Sequence, residues 1–501
     1  MAKSARAGLS KSRLLVHRQC PKRLWLQTNK PDEAEVDLAT ANVLATGNEV
    51  GAIARTLFPG GVLIETNDLG EALAETRSVL AARPDAPIFE ATFEHDDVLV
   101  RCDVLLPEKG GHRMVEVKSS TKVKDYHVPD VAIQSVIASA AGLNVRSLQV
   151  AHLDSKFVYQ GGGNYEGLFK SVDVTDLALE YTGDVPKWIV QARETLASSE
   201  PNTGIGAHCH EPFACPFHKY CGDQQGIERA SFPVEDLPHA SRLIGLLRAD
   251  GYTDIRDVPE ERLPKPAHRR IREAAITGQQ KIDPAAAAAI KALGYPRYYM
   301  DFETLQSAIP IWAGTRPYVS QVPFQWSCHI ETGPGELQPE SFLASGSDDP
   351  RQAFAESLTQ TIGETGPVLV YNAAFERARL QELARLFPDM AERLQSIAKR
   401  IVDLLPLARA HYYHRDMHGS WSLKAVAPTI APELGYDGLA VGNGEMAQSA
   451  FREILNPSTT EERRAALRAD LLEYCGRDTL LLVHLAQLFL KADESAGQSQ
   501  E

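Results

Sequence analysis

Long apolar runs are missing from this chain. No stretch approaches the 18 or more consecutive apolar residues of a membrane-spanning helix, so no membrane partner is expected. Acid is missing from residues 1–30, which hold eight Lys/Arg and no Asp or Glu. They also lack the apolar core of a signal peptide, so export is not expected. A transit peptide has a similar composition, but Cys20 and Trp25 read as parts of the fold. Cysteine is scarce, with seven in 501 residues. Without export, the thiols are expected to be reduced or to hold a metal rather than to form disulfides. Excess positive charge is absent too. The net charge is −14, which excludes a protein coated in basic surface but not a local basic track. Two such tracks stand out: residues 3–30, and Lys265–Lys281 with Arg269, Arg270 and Arg272.

What is present fits two to four soluble domains. The most informative stretch is Tyr298-Tyr299-Met300-Asp301-Phe302-Glu303-Thr304, an aromatic and apolar strand. Strand side chains alternate faces, so Asp301 and Glu303 point the same way. Two acids side by side on a buried strand repel each other and resist desolvation, and a bound divalent cation relieves both. On a solvated face the same pair needs no ion.

A second acid pair lies in the first half. Val98–Leu106 reads as a strand, Glu108-Lys109-Gly110-Gly111 as a turn and Met114–Lys118 as the returning strand. If Pro107 faces His112, then Asp103 faces Glu116, with Cβ atoms roughly 5 Å apart. Lys118 shares the face of Glu116. Such a trio can hold Mg²⁺ or Mn²⁺ through carboxylate oxygens, with the lysine orienting a water or stabilising developing charge. It is equally the pattern of a cross-strand ion pair.

An Asp, a gap and then Glu-x-Lys on a hairpin resembles the PD-(D/E)XK nucleases. Asp103, Glu116, Lys118 and the downstream Gln134 fit the RecB-like branch, and Glu49 matches its early acidic helix position, with Glu90 as a competitor. Cys102 stands where the family has proline. Cys209, Cys215 and Cys221 form C-x5-C-x5-C, with Cys20 far upstream. One early and three late cysteines around such a core resemble the iron–sulfur nucleases, which implies a [4Fe–4S] cluster on these four thiolates. Zinc is the alternative, although the spacing differs from the C-x2-C of zinc ribbons. Cys102, Cys328 and Cys475 read as core thiols.

The second half carries three ordered motifs: Asp301 with Glu303; Asn372, Phe375 and Glu376; and Tyr474 with Asp478, which share a helix face as i and i+4. This order resembles the DnaQ-like (DEDD) 3′–5′ exonucleases, tyrosine subtype. The resemblance implies an RNase H-like fold, two metal ions about 4 Å apart and a water-orienting tyrosine. Glu376 stands where Asp is usual, and Asp403 is a softer match. The two-domain order, with Gly419-Ser420-Trp421-Ser422-Leu423-Lys424 between motifs, also resembles an uncharacterised bacterial domain-of-unknown-function family, which implies a cytoplasmic location.

The expected architecture is α/β. Residues 1–225 form a restriction-endonuclease-like core with an iron–sulfur cluster. Residues 226–295 form a helical spacer, possessing a weak helix-hairpin-helix pattern around Gly251. Residues 296–491 form an RNase H-like core, and 492–501 a tail. The expected activity is metal-dependent hydrolysis of DNA with a single-stranded region or end, 3′–5′ exonucleolytic in the second half, in repair or defence. RNA is the alternative polymer. A nucleic-acid-binding protein with one inactive core is the alternative of another class.

Overall fold

A computed structural model describes residues 8–35, 38–226 and 230–498. The fold is mixed α/β. Its strands are β1 (Leu9–Ser10), β2 (Val62–Leu63), β3 (Ile88–His95), β4 (Val98–Glu108), β5 (Gly111–Lys118), β6 (Val145–Leu153), β7 (Phe169–Asp173), β8 (Lys281–Ile282), β9 (Arg297–Leu305), β10 (Val322–Gly333), β11 (Glu336–Leu343), β12 (Val368–Val370), β13 (Ile401–Asp403) and β14 (Tyr412–Tyr413). Among the described residues no helix is long and apolar enough to cross a membrane.

The chain divides into two compact units. One is Met1–Ile227 with Ser307–Ser320; the other is Glu228–Gln306 with Gln321–Glu501. The excursion 307–320, expected to lie in the second core, instead packs in the first unit. There Ala308 and Ile309 join Val50, Leu153 and Leu168 in one apolar cluster, and Thr315 O accepts from Tyr159 N at 3.0 Å.

In the first unit the sheet order is β2-β3-β4-β5-β6-β7, with β1 beside β4. β4 buries Val98, Val100, Cys102 and Val104 on one face, which turns Asp103 to the other. The β4–β5 hairpin pairs Pro107 with His112, as its turn residues predict. It continues to Glu108 opposite Gly111, so the loop is two residues rather than four. Gly110, at φ +83°, supplies the left-handed residue that so tight a turn requires. The helix His127–Ala140 packs on this sheet and buries both Asp130 and Gln134.

In the second unit the main sheet runs β11-β10-β9-β12-β13. β10 is antiparallel to β9 and β11, whereas β12 and β13 continue parallel to β9. The helix Glu461–Gln498 packs across β9 and β10. It extends to Gln498, past the point where a loose tail was expected; residues 499–501 lie outside the described set.

The spacer is not a separate body. Val234, Leu247, Ile255, Val258 and Ile271 share one core with Tyr299, Leu369, Trp421 and Phe489. Its expected basic track is engaged internally. Arg269, Arg270 and Arg272 donate to the carbonyls of Leu263, Arg409 and Val258, and Lys281 pairs with Glu273 at 2.6 Å. Gly419 marks where the spacer meets the core. It has φ +73°, and a Cβ there would collide with the carbonyl of Asp236. Both effects act on backbone that cannot yield, so Gly419→Ala is expected to destabilise the second unit by about 3 kcal/mol. Denaturant melts would check this, and an unchanged midpoint would refute it.

Candidate metal centre

Asp301 and Glu303 lie on β9, the central strand, opposite Ser327 and Gln325 of β10. Asp478 reaches them from the long helix. One oxygen from each of these three acids falls within 4.8 Å of the others. Tyr474, one helical turn before Asp478, hydrogen-bonds to it. Glu376 sits in the first turn of the helix Ala374–Leu386 and is 2% exposed. Its Oε2 is buried with no hydrogen-bond partner among the described residues.

This is a strongly repulsive group. Burial, then the charge of Asp478, pushes Glu303 up to about 8. Burial also raises Asp478 to about 6, against hydrogen bonds from Tyr436 and Tyr474. Glu376 rises to about 8, mainly through burial. Asp301 stands well above the carboxylate range because of burial and then of Asp478, Glu303 and Glu376. Lys424, whose own pKa burial lowers, opposes the charge of Glu303 and Asp478, and Arg377 and Arg379 oppose that of Glu376. The donor set, its proximity and the unpartnered oxygen all fit hard divalent cations.

Asp403 plays a different part. Its carboxylate accepts from Asn372 N and Ala373 N, both at 3.0 Å, and from Leu405 N at 3.0 Å. It caps its own helix and holds the turn at Asn372, φ +81°, from which Glu376 is launched. Two residues enter unannounced. Tyr436 donates to Asp478 Oδ1, and Lys424 lies 5.8 Å from the Tyr436 ring centroid. Lys424 stood inside a quoted motif; Tyr436 had no signal beyond an aromatic in a loop. A cavity of about 920 Å³ opens beside Lys424, Tyr436, Tyr474 and Asp478, walled by Gly419–Trp421 and by Pro238 and His239 of the spacer.

The first unit brings Glu116, Lys118 and Gln134 together and adds Lys11 and Asp130. Lys118 Nζ lies 2.7 Å from Glu116 Oε1 and 2.6 Å from Asp130 Oδ2. Lys11 Nζ lies 2.9 Å from Glu116 Oε1 and 3.0 Å from Asp130 Oδ1. Gln134 Nε2 donates to Glu116 Oε2 at 2.5 Å. Asp103 accepts from Val117 N at 2.7 Å; burial and then Glu116 push it up to about 8. Burial opposes the charge on Lys118, but Glu116 and Asp130 outweigh it and hold its pKa above the lysine range. Burial likewise works to neutralise Asp130, yet Lys11 and Lys118 hold it well below the carboxylate range.

Three acids here meet two ammonium groups, and one acid takes up a proton readily. Both lysines sit on the carboxylate oxygens that a divalent ion needs, so as arranged these residues do not fit one. Glu49 is exposed, because Val50 and Ala54 form the buried face of its helix; its charge bears on Tyr165. Its competitor Glu90 does feel the charge of Glu116, and it also pairs with Arg55 at 3.8 Å.

The four cysteines converge. Cys20 joins the helices Lys11–Gln19 and Pro21–Asn29. The charges of Cys20 and Cys209 both raise Cys215 and Cys221, after the larger effect of burial. All four are free thiols. No three of them come within 4.8 Å of one another among the described residues.

Residues 298–422 match a family described as DUF2779, a domain of unknown function. The chain is similar to the uncharacterized protein UU173 of Ureaplasma parvum, 25% identical over 240 residues, covering 44% of this chain and 34% of that protein. It is also similar to the uncharacterized protein MG366 of Mycoplasma genitalium, 24% identical over 218 residues, covering 39% and 32%. It thus spans about a third of the length of these curated relatives. The crystal structure of SSO0001 aligns with 42% of this chain and 85% of that one at 12% identity, with a TM-score of 0.24. That likeness is too slight to carry an argument.

Proposed function

We propose that the second unit is a metal-dependent nuclease centre that removes nucleotides from the 3′ end of DNA, in end processing or degradation during repair or defence. The observation that carries this reading is the convergence of Asp301, Glu303 and Asp478 within 4.8 Å beside the unpartnered oxygen of Glu376. A sheet ordered β11-β10-β9-β12-β13 with the acids on its central strand supports an RNase H-like core. Mg²⁺ or Mn²⁺ held by these four acids would supply a water of lowered pKa and offset phosphoryl charge. Burial and the surrounding acids push the Tyr474 hydroxyl far up, so it stays protonated and serves to orient water rather than to act as a base. Lys424 and Arg409, which both line the cavity, supply positive charge for an incoming phosphate. In the first unit, Cys20, Cys209, Cys215 and Cys221 would hold a [4Fe–4S] cluster tying the start of that unit to its end.

The test is a time course on 5′-labelled single-stranded DNA, with RNA in parallel, in Mg²⁺, Mn²⁺ or EDTA. A ladder that shortens from the 3′ end only with the divalent ion is the expected outcome. A faster ladder on RNA would move the substrate. Metal-independent or absent cleavage of both polymers would refute the reading.

A further inference from the structure

We infer that the cleft beside Glu116 and Asp130 in the first unit grips single-stranded nucleic acid, and does so without a divalent ion. The inference rests on the reading of this chain as one that acts on nucleic acid. The cleft has a volume of about 1180 Å³ and is lined by six cations, among them Arg18, Arg23, Lys122 and Lys124, against three acids. The whole chain has 66 acids to 52 Lys/Arg, so this local reversal of sign is a concentrated basic surface. Lys11 and Lys118 are engaged with Glu116 and Asp130, as described. Lys122 and Lys124 remain exposed. Arg23 Nη1 donates to Gln19 Oε1 at 2.7 Å, which fixes this guanidinium in the wall of the cleft.

An aromatic platform completes the cleft. Phe213, 52% exposed, projects from the segment between Cys209 and Cys215. Its ring packs edge-on against Tyr126, with centroids 4.9 Å apart. Gln19 fixes this segment by donating to the carbonyls of His208 at 2.8 Å and Phe213 at 2.6 Å. Lys124 lies 5.5 Å from the Tyr126 centroid. A fixed, exposed ring among flexible cations suits an unstacked base with its phosphates. Base–aromatic stacking contributes independently of sequence, and only a single strand offers its base faces. The two internal lysines explain why no metal is needed. They already offset the acids on the floor of the cleft, so the phosphates meet little net negative charge.

The full-length chain carrying Asp478→Asn, to prevent hydrolysis, is mixed with labelled oligothymidylate in EDTA and followed by fluorescence anisotropy. Phe213→Ala should weaken binding roughly tenfold and leave duplex binding unchanged. Lys122→Glu with Lys124→Glu should weaken binding and flatten its salt dependence. These side chains are exposed, and matching circular dichroism checks the fold. Equal binding by all variants, a strict requirement for Mg²⁺, or equally effective displacement by polyglutamate would overturn the proposal; the last would assign the cleft to acidic peptides. Binding as expected with no cleavage by wild type would refute the nuclease reading alone. Cleavage without this binding pattern would refute the grip alone.

Discussion

Glu303→Gln is expected to lower metal-dependent cleavage by on the order of 10³-fold and to raise the melting temperature of the metal-free second unit by about 5 °C at pH 8. Both follow from one fact. Glu303 shares a buried site with Asp301 and Asp478, and burial followed by the charge of Asp478 lifts its pKa to about 8. In the unfolded chain a glutamate titrates near 4.3. Below that pH both states are protonated and the group has no effect. Between about pH 4 and 8 the unfolded chain releases the proton while the folded one retains it, so stability falls as pH rises. Above pH 8 the folded protein carries the full repulsion. The amide removes this slope together with a metal ligand. Mg²⁺ should likewise relieve the repulsion in wild type, raising its melting point most where the acids are ionised, and should do little for the variant. Melts from pH 5 to 9 with and without Mg²⁺, beside the cleavage assay, check this. Full activity in the variant, or identical pH profiles, would show that Glu303 is an ordinary buried acid.

Cys215→Ser should act on the other unit. Anaerobically purified wild type is expected to contain iron and to absorb visible light, and the variant to lose both. A cluster on these thiols would tie Cys20 to a segment starting at Cys209, and a link across so long a loop contributes about 2–5 kcal/mol by analogy with cross-linked chains. The first unit should therefore melt lower, while 3′-end cleavage by the second persists. Stoichiometric zinc in place of iron would favour the alternative metal. Wild type and variant with equal stability and no bound metal would leave four unligated thiols.

The acids were legible where local periodicity governs. Two residues along β9 place Asp301 and Glu303 on one face, and four along a helix align Tyr474 with Asp478. The β4–β5 hairpin could be registered from its glycines. Placement across the fold was not legible. Lys11 meets Glu116 across 105 positions, and Tyr436 meets Asp478 across 42; no local pattern encodes such meetings. Lys11 changes the chemistry, since a trio that looked ready for a metal becomes a balanced ion-pair network. Glu49 lies on the exposed face of its helix, whose buried face is formed by Val50 and Ala54. The spacer looked independent because its prolines break it into short helices, yet its apolar residues complete the core under β9 and β12.

The excursion 307–320 has a consequence for how this polypeptide can be taken apart. The backbone passes from one unit to the other after residue 227, returns at 307 and leaves again after 320. A single protease nick near 227 would leave the halves covalently joined. A recombinant fragment beginning at 228 would carry Ala308 and Ile309 without the residues that cover them, and one ending at 227 would expose Leu153 and Leu168. Separating the two units by truncation therefore requires the excursion to be replaced by a short polar bridge in one fragment and supplied in trans to the other.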